Sequence, residues 1–371
     1  MSSPDALQLE RGSGLNYSRF ASIAALAVAL SACSNSAQSL PASGPGNSSN
    51  SAGSMDSWHG LLAKEGLPGA GCFRATYPSV EWHRIACSTP PRLWFPVPAS
   101  RRKSLAQNVG DGHDYTADTS PNLISTAIGA FPKVKGVKSV RSEGCCGEQG
   151  LNSYSLQLNS NFFQTPACGK LPNCEGWEQF VYSNPPGGAG ALFIQDWLVA
   201  TEGSFSSCPP SAGWEDVGIG CVQNSPSAVY LPNVSITHLN QVIETGVASS
   251  NGDSIYLAVG STEYGMQDIQ GDGITDLAAH WEGAEFNVIG NGGGDIADFT
   301  GKSKITITLQ TDDGVTTAPT CPANSGTTGE SNNLYFVRAP KKLASLPYPF
   351  IEFSMSSKSK GIPSCDTGSG T

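Results

Sequence analysis

Cys174-Glu175-Gly176-Trp177-Glu178-Gln179-Phe180-Val181-Tyr182 and Trp281-Glu282-Gly283-Ala284-Glu285-Phe286-Asn287-Val288-Ile289 are the two stretches whose reading decides the fold. Each is a short apolar, aromatic run carrying a few carboxylates and carboxamides. Such a group is costly to bury without a partner. Read as a strand, the first stretch alternates: Glu175, Trp177 and Gln179 on one face, Gly176, Glu178 and Phe180 on the other. In the following apolar run Phe193, Gln195 and Trp197 share a face. In the second stretch Trp281, Gly283, Glu285 and Asn287 share one. Three strands therefore offer Trp, Gln and Glu side chains to one concave surface. An aromatic floor with a few polar groups suits a substrate cleft.

The same texture continues along the chain. Strands are expected at 150–158, 176–183, 191–200, 227–231, 236–245, 253–259, 281–289, 304–311, 334–339 and 350–354, with Gly, Asn, Ser and Pro turns between them. No helix recurs between strands, so pairing is expected to be antiparallel. The fold class is all-β, an antiparallel β-sandwich of jelly-roll or concanavalin-like form. Helical turns are expected at 123–130 and 276–280, and a short helix near Trp58. No internal repeat is present.

Composition agrees. Only 14% of residues are charged, while Gly (43) and Pro (25) are abundant, as in an exported turn-rich protein. The formal net charge of −10 and the shortness of the one basic run, Arg101-Arg102-Lys103, argue against a nucleic-acid partner. Arg11 and Arg19 precede an apolar run at 21–30 that is too short to span a membrane. Leu30-Ser31-Ala32-Cys33 follows and has the form of a lipobox, so 1–33 is expected to be a lipoprotein signal with Cys33 acylated. The chain would then be exported and lipid-anchored at a bacterial cell envelope. Ser34 suits the outer membrane. Residues 34–57, rich in Ser, Asn, Gly and Pro, form a tether. Residues 58–103 read as a small disulfide-clipped subdomain or a prosegment, and 104–371 as the sandwich. Of eleven cysteines, ten remain beside Cys33. An even number in an exported chain reads as a disulfide set. Proximity suggests Cys72–Cys87, Cys168–Cys174, Cys208–Cys221 and Cys321–Cys365, leaving Cys145 and Cys146. No CxxC pair exists and the five histidines lack ligand spacing, so no metal and no cofactor is expected. Asp268-Ile269-Gln270-Gly271-Asp272-Gly273 resembles a calcium loop, but Ala279 stands where the bidentate Glu belongs, and a polar turn is the reading.

The chemistry these residues suit is acid–base hydrolysis. A desolvated carboxylate exchanges protons in mild acid, and a neighbouring carboxamide can donate to an oxyanion. Glu285 is the candidate base, with Gln179 or Glu175 as partner. Trp177, Gln195, Trp197, Trp281 and Asn287 are candidate substrate-binding residues. Gly176-Trp177, Leu192-Phe193-Ile194-Gln195-Asp196-Trp197, Cys208 and Gly220-Cys221 resemble the neprosin domain. Trp281-Glu282-Gly283-Ala284-Glu285 is similar to its Trp-Gly-Gly-Glu segment, and Ala284-Glu285-Phe286 is similar to a segment of the fungal glutamic peptidases. The resemblance covers about residues 175–300. It implies a β-sandwich peptidase with Glu285 paired with Gln or Glu, and an N-terminal propeptide. Where neprosins carry the partner Glu, this chain has Cys174. The expected function is hydrolysis of unstructured peptide in mild acid. The rival is a glycan-binding or structural envelope sandwich without catalysis.

Overall fold

The computed structural model describes residues 55–96, 108–144, 150–210, 213–340, 345–359 and 361–371. Cys33, the signal, the tether up to residue 54, the basic run at 101–103 and Cys145-Cys146 lie outside them. Helix α1 (Met55–Glu65) comes first. The strands follow as β1 (Gly71–Thr76), β2 (His83–Ile85), β3 (Asn108–Gly110), β4 (Thr116–Asp118), β5 (Thr126–Glu143), β6 (Tyr154–Ser160), β7 (Cys174–Asn184), β8 (Gly190–Ala200), β9 (Glu215–Asp216) and β10 (Gly220–Asn224). The remainder are β11 (Val229–Leu231), β12 (Val242–Val247), β13 (Asp253–Val259), β14 (Thr262–Asp268), β15 (Gly283–Ile289), β16 (Ile296–Asp312), β17 (Ser331–Val337), β18 (Phe350–Ser356) and β19 (Cys365–Gly368).

They form two sheets, mostly antiparallel. One runs β19-β18-β17-β16-β5-β12-β13-β14-β1-β2, with β3 on β17. The other runs β4-β15-β6-β7-β8-β10-β9, with β11 on β8. This is an all-β sandwich. Its core is an inter-sheet layer in which Phe180, Trp281, Phe286 and Phe131 are fully enclosed. The sheets meet closely at Gly129, where a Cβ would stand 2.3 Å from the Phe286 ring. Burying a side chain of that size contributes about 1.5–3 kcal/mol, so a glycine in mid-strand is offset by the ring it admits.

Two local expectations are corrected. Residues 123–130 are not helical: from Thr126 they begin the long strand β5, hydrogen-bonded to β12 on one side and β16 on the other. Ala127, Gly129 and Phe131 face inward in alternation, and that pairing overrides weak local propensity. Residues 236–241 form a 3₁₀ helix rather than a strand, capped by the Ser235 side chain accepting from the Thr237 N–H. Beyond residue 103, strands β3, β4, β5, β9, β10, β14 and β19 fall outside the expected set.

The N-terminal part is built into the sandwich. β1 pairs along its full length with β14 and over Cys72–Arg74 with β2. Trp58 and Leu62 of α1 pack on Ala75, and His59 Nδ1 lies 2.8 Å from Glu263 Oε2. Among the described residues four disulfides form: Cys72–Cys87, Cys168–Cys174, Cys208–Cys221 and Cys321–Cys365. They fit an exported protein.

Strands β6, β7 and β8 are buried on both faces. An antiparallel sheet commonly exposes one face. Here segments from elsewhere in the chain cover the face turned away from the core, and the candidate site lies beneath them.

Candidate active site

Register sets out the site. Thr116 of β4 stands opposite Glu285 of β15, and Glu285 opposite Asn159 of β6. Asn159 faces Gln179 of β7, Gln179 faces Gln195 of β8, and Gln195 faces Asn224 of β10. Cross-strand partners point to the same side. One polar row therefore crosses six strands, and its members from Glu285 to Gln195 are buried.

The hydrogen bonds along this row run one way. Trp197 Nε1 shares its one N–H between Gln179 Oε1 at 3.0 Å and Gln195 Oε1 at 2.9 Å. Gln179 Nε2 donates to Asn159 Oδ1 at 3.2 Å, and Asn159 Nδ2 to Glu285 Oε2 at 3.4 Å. Donors aligned in sequence polarise one another toward the acceptor at the end of the chain. That acceptor is the Glu285 carboxylate. Its Oε2 also accepts from Thr327 N at 2.6 Å, Thr327 Oγ1 at 3.0 Å and Thr328 N at 3.2 Å.

Glu285 does not face these donors alone. Asp114, on the loop between β3 and β4, is buried and hydrogen-bonded to Glu285. Burial first, then the Glu285 charge and the bond to it, hold the Asp114 carboxyl well above the usual carboxylate range. Asn287 Nδ2 donates to Asp114 Oδ1 at 2.7 Å. Asp114 Oδ2 and Glu285 Oε1 have no other donor. One proton shared between them satisfies both, as in any pair of touching carboxyls. Gly326 closes over the pair: a Cβ there would lie 2.8 Å from Glu285 Oε1 and 3.1 Å from Asp114 N.

A further carboxyl joins the network. Gln157 Oε1 accepts from Gln179 Nε2 and from Thr328 Oγ1. Gln157 Nε2 donates at 3.4 Å to Glu330 Oε2, and Thr328 Oγ1 stands 2.7 Å from the same oxygen, so its one hydroxyl proton is divided between Gln157 Oε1 and Glu330 Oε2. Glu330 is fully buried, and burial pushes it up to about 7.

Beside this machinery an open cleft of about 360 Å³ is lined by Thr116, Ser160, Phe162, Glu175, Glu282 and Thr327, among others. Thr327 is shared: it hydrogen-bonds Glu285 and also forms part of the cleft wall.

Glu285, Gln179, Gln195, Trp177 and Trp197 thus lie on one face, with Glu285 and Gln179 linked through Asn159. Asn287 serves that face by holding Asp114. Glu175 is half-buried on the cleft wall. Trp281 is elsewhere: it sits in the inter-sheet core, its ring 5.6 Å from Phe180. β15 begins only at Gly283, after a 3₁₀ turn at Leu277–Ala279, so strand alternation does not reach back to residue 281. Trp177 and Trp197 are enclosed, with Trp94 and Phe162 packed on them. Asp114, Gln157, Asn159, Thr327, Thr328 and Glu330 were not anticipated. Gln157 and Asn159 had a readable signal, since Ser153, Ser155, Gln157 and Asn159 alternate with Tyr154, Leu156 and Leu158. Asp114, in an irregular loop, had none.

Among the described residues, no group of three or more His, Cys, Asp or Glu side chains is arranged to hold a metal ion. The Asp268 loop is a polar turn in which Asp268 Oδ1 accepts from Gln270 N at 2.9 Å. No protein-family model, curated protein or solved structure matches the chain.

Proposed function

We propose that this protein is an exported acid–base peptide hydrolase of the glutamic type, attached to the cell envelope through an acylated Cys33. The observation that carries the catalytic reading is the buried Asp114–Glu285 carboxyl pair at the end of the carboxamide row and against an open cleft. A pair of this kind holds one proton and one negative charge in contact. Glu285 is the base. It takes a proton from a water in the cleft as the water oxygen bonds to the peptide carbonyl carbon. Asp114 gives its proton to the developing oxyanion. When the C–N bond breaks, the proton held by Glu285 passes to the leaving amine, and Asp114 recovers its own from the hydroxyl of the new acid. Gln179 is a positioning residue acting through Asn159. Thr327 stands between the cleft and Glu285 Oε2, so its displacement admits the water.

A glycan-binding face is the poorer reading, because stacking on sugars needs exposed rings. Trp177, Trp197 and Trp281 are each fully buried.

The test is hydrolysis of an unstructured polypeptide at about pH 4, where a general acid–base step contributes about 10²–10⁴-fold. Glu285→Gln is expected to lower the rate at least a hundredfold with the fold intact by circular dichroism, and Asp114→Asn to do the same. Full acid activity in a folded Glu285→Gln protein refutes the mechanism.

A further inference from the structure

The covered face of the second sheet holds a piece of the chain itself. Residues 91–96 cross it in extended form, fixed by Pro91 and Pro96. The contacts are largely main-chain. Gln195 clamps the segment with both ends of its carboxamide: Nε2 donates to Leu93 O at 3.0 Å, and Oε1 accepts from Phe95 N at 3.0 Å. Asn224 Nδ2 donates to Pro91 O at 3.3 Å. Gly293 N donates to Trp94 O at 2.6 Å and Gly329 N to Pro96 O at 2.7 Å. Main-chain recognition of this kind accepts many sequences, and side-chain pockets then select among them.

One pocket is deep. Phe95 is fully enclosed by Val181, Ala191, Phe193 and Ala228, with Leu93 beside it, and its ring centroid lies 6.2 Å from that of Phe193. Trp94 rests half-exposed on the Trp177–Trp197 cluster. The two aromatic residues thus straddle the polar row at Gln195. The segment runs along the row from Asn224 past Gln195 toward Gly329, two residues beyond the Thr327 that holds Glu285.

We propose that the Val181–Ala191–Phe193–Ala228 pocket is a side-chain subsite for an aromatic residue of an extended peptide, with Gln195 as its main-chain clamp. This deepens the hydrolase reading and rests on it for one element, the position of the cut. Gln195 and Glu285 are three strand spacings apart, about 14 Å, which an extended peptide covers in roughly four residues. The bond cleaved therefore lies about four residues C-terminal to the aromatic.

The binding arm uses the full chain and a fluorescein-labelled peptide, Pro-Pro-Arg-Leu-Trp-Phe-Pro-Val-Pro. In the wild type the tethered segment competes at an effective concentration of order millimolar, so binding is weak. Phe95→Ala is expected to bind the peptide at least tenfold more tightly than wild type does. The same peptide with Ala for Phe is expected to bind that variant at least tenfold more weakly than its parent. If Phe95→Ala does not fold, Phe95→Val, which leaves the pocket only part-filled, carries the same comparison. A folded variant that binds neither peptide, or both equally, overturns the subsite. The cleavage arm digests a peptide library with wild-type protein in acid. Enrichment of Phe, Tyr or Trp about four residues before the cut supports the subsite, and efficient cutting without aromatic preference overturns it. Peptide binding without any cutting upholds the subsite and refutes the hydrolase reading instead.

Discussion

Glu330 makes the fold's dependence on pH calculable. Its carboxyl is fully buried, and burial holds it at about 7 against an ordinary 4.5. Below pH 4.5 the group is protonated in both folded and unfolded chains, and its contribution to stability is complete. As pH rises from 4.5 to about 7 the unfolded chain releases this proton and the folded chain keeps it. Stability then falls by 1.36 kcal/mol per pH unit, about 3 kcal/mol over the interval. Above about 7 the loss stops growing. Glu330→Gln abolishes it. The amide carbonyl keeps the bond from Gly294 N, which is 3.0 Å in the parent. The amide N–H can donate to Thr328 Oγ1, a versatile partner, and only the long 3.4 Å contact with Gln157 is forfeited. That exchange costs about 1 kcal/mol at pH 4.5. The variant should be about 1 kcal/mol less stable than the parent at pH 4.5 and about 2 kcal/mol more stable at pH 7. Urea titration of both proteins at pH 4.5, 5.5 and 7 measures this difference directly. Other buried acids contribute their own slopes, but these are common to the two proteins and cancel. A variant-minus-parent difference that stays flat across the three pH values refutes the account of Glu330.

Two other changes probe the carboxyl groups. Gly326→Ala places a methyl 2.8 Å from Glu285 Oε1 and 3.1 Å from the Asp114 backbone nitrogen. Because the second contact is main chain, overpacking should cost about 1–3 kcal/mol and lower acid hydrolysis; a thermal melt unchanged from wild type would show that the loop yields freely. Asp196→Asn removes a buried carboxyl raised by burial and by the charges of Asp253 and Asp268. It should stabilise the fold at pH 7 by on the order of 1–3 kcal/mol while leaving hydrolysis as it was, and a melt that falls at pH 7 would contradict that.

The parts of this molecule legible in its sequence are those whose cause is local. β13 runs over Asp253–Val259, as alternation places it, and β7 and β8 extend their expected ranges by only a few residues. The four disulfides join near neighbours, with separations of 6 to 44 residues. β5 was hidden because Thr126-Ala127-Ile128-Gly129-Ala130 is weakly inclined to any form. Its strand character comes from β12 and β16, more than a hundred residues away. Within the site, Gln179 and Glu285 were visible as polar residues on apolar strands. Asp114, Thr327 and Thr328 were not, because each lies in an irregular segment delivered by tertiary packing. Pro91 and Pro96 suit an extended path, but nothing local says where on the sheet it runs.

Strand alternation also separates two buried polar sets, one on each face of β7 and β8, and access decides between their acids as sites of chemistry. Gln179 and Gln195 lie opposite one another on the covered face. Their sequence neighbours Glu178 and Asp196 are likewise opposite one another, but on the face toward the other sheet. There Thr275 Oγ1 stands 2.9 Å from Glu178 Oε2 and 3.4 Å from Asp196 Oδ1. Asp253 and Asp268, partners in the β13–β14 register, add charge to the same region. On titration alone this set would compete with Asp114, since burial raises Asp196 and Asp114 alike. None of its four acids lines the cleft, however, whereas Thr116 and Thr327, which flank Glu285, do. A raised carboxyl enclosed between two sheets can only alter stability with pH. The same carboxyl one side chain away from an open cleft can exchange its proton with a substrate. That difference in access, rather than any difference in acidity, places the proposed chemistry at Asp114 and Glu285.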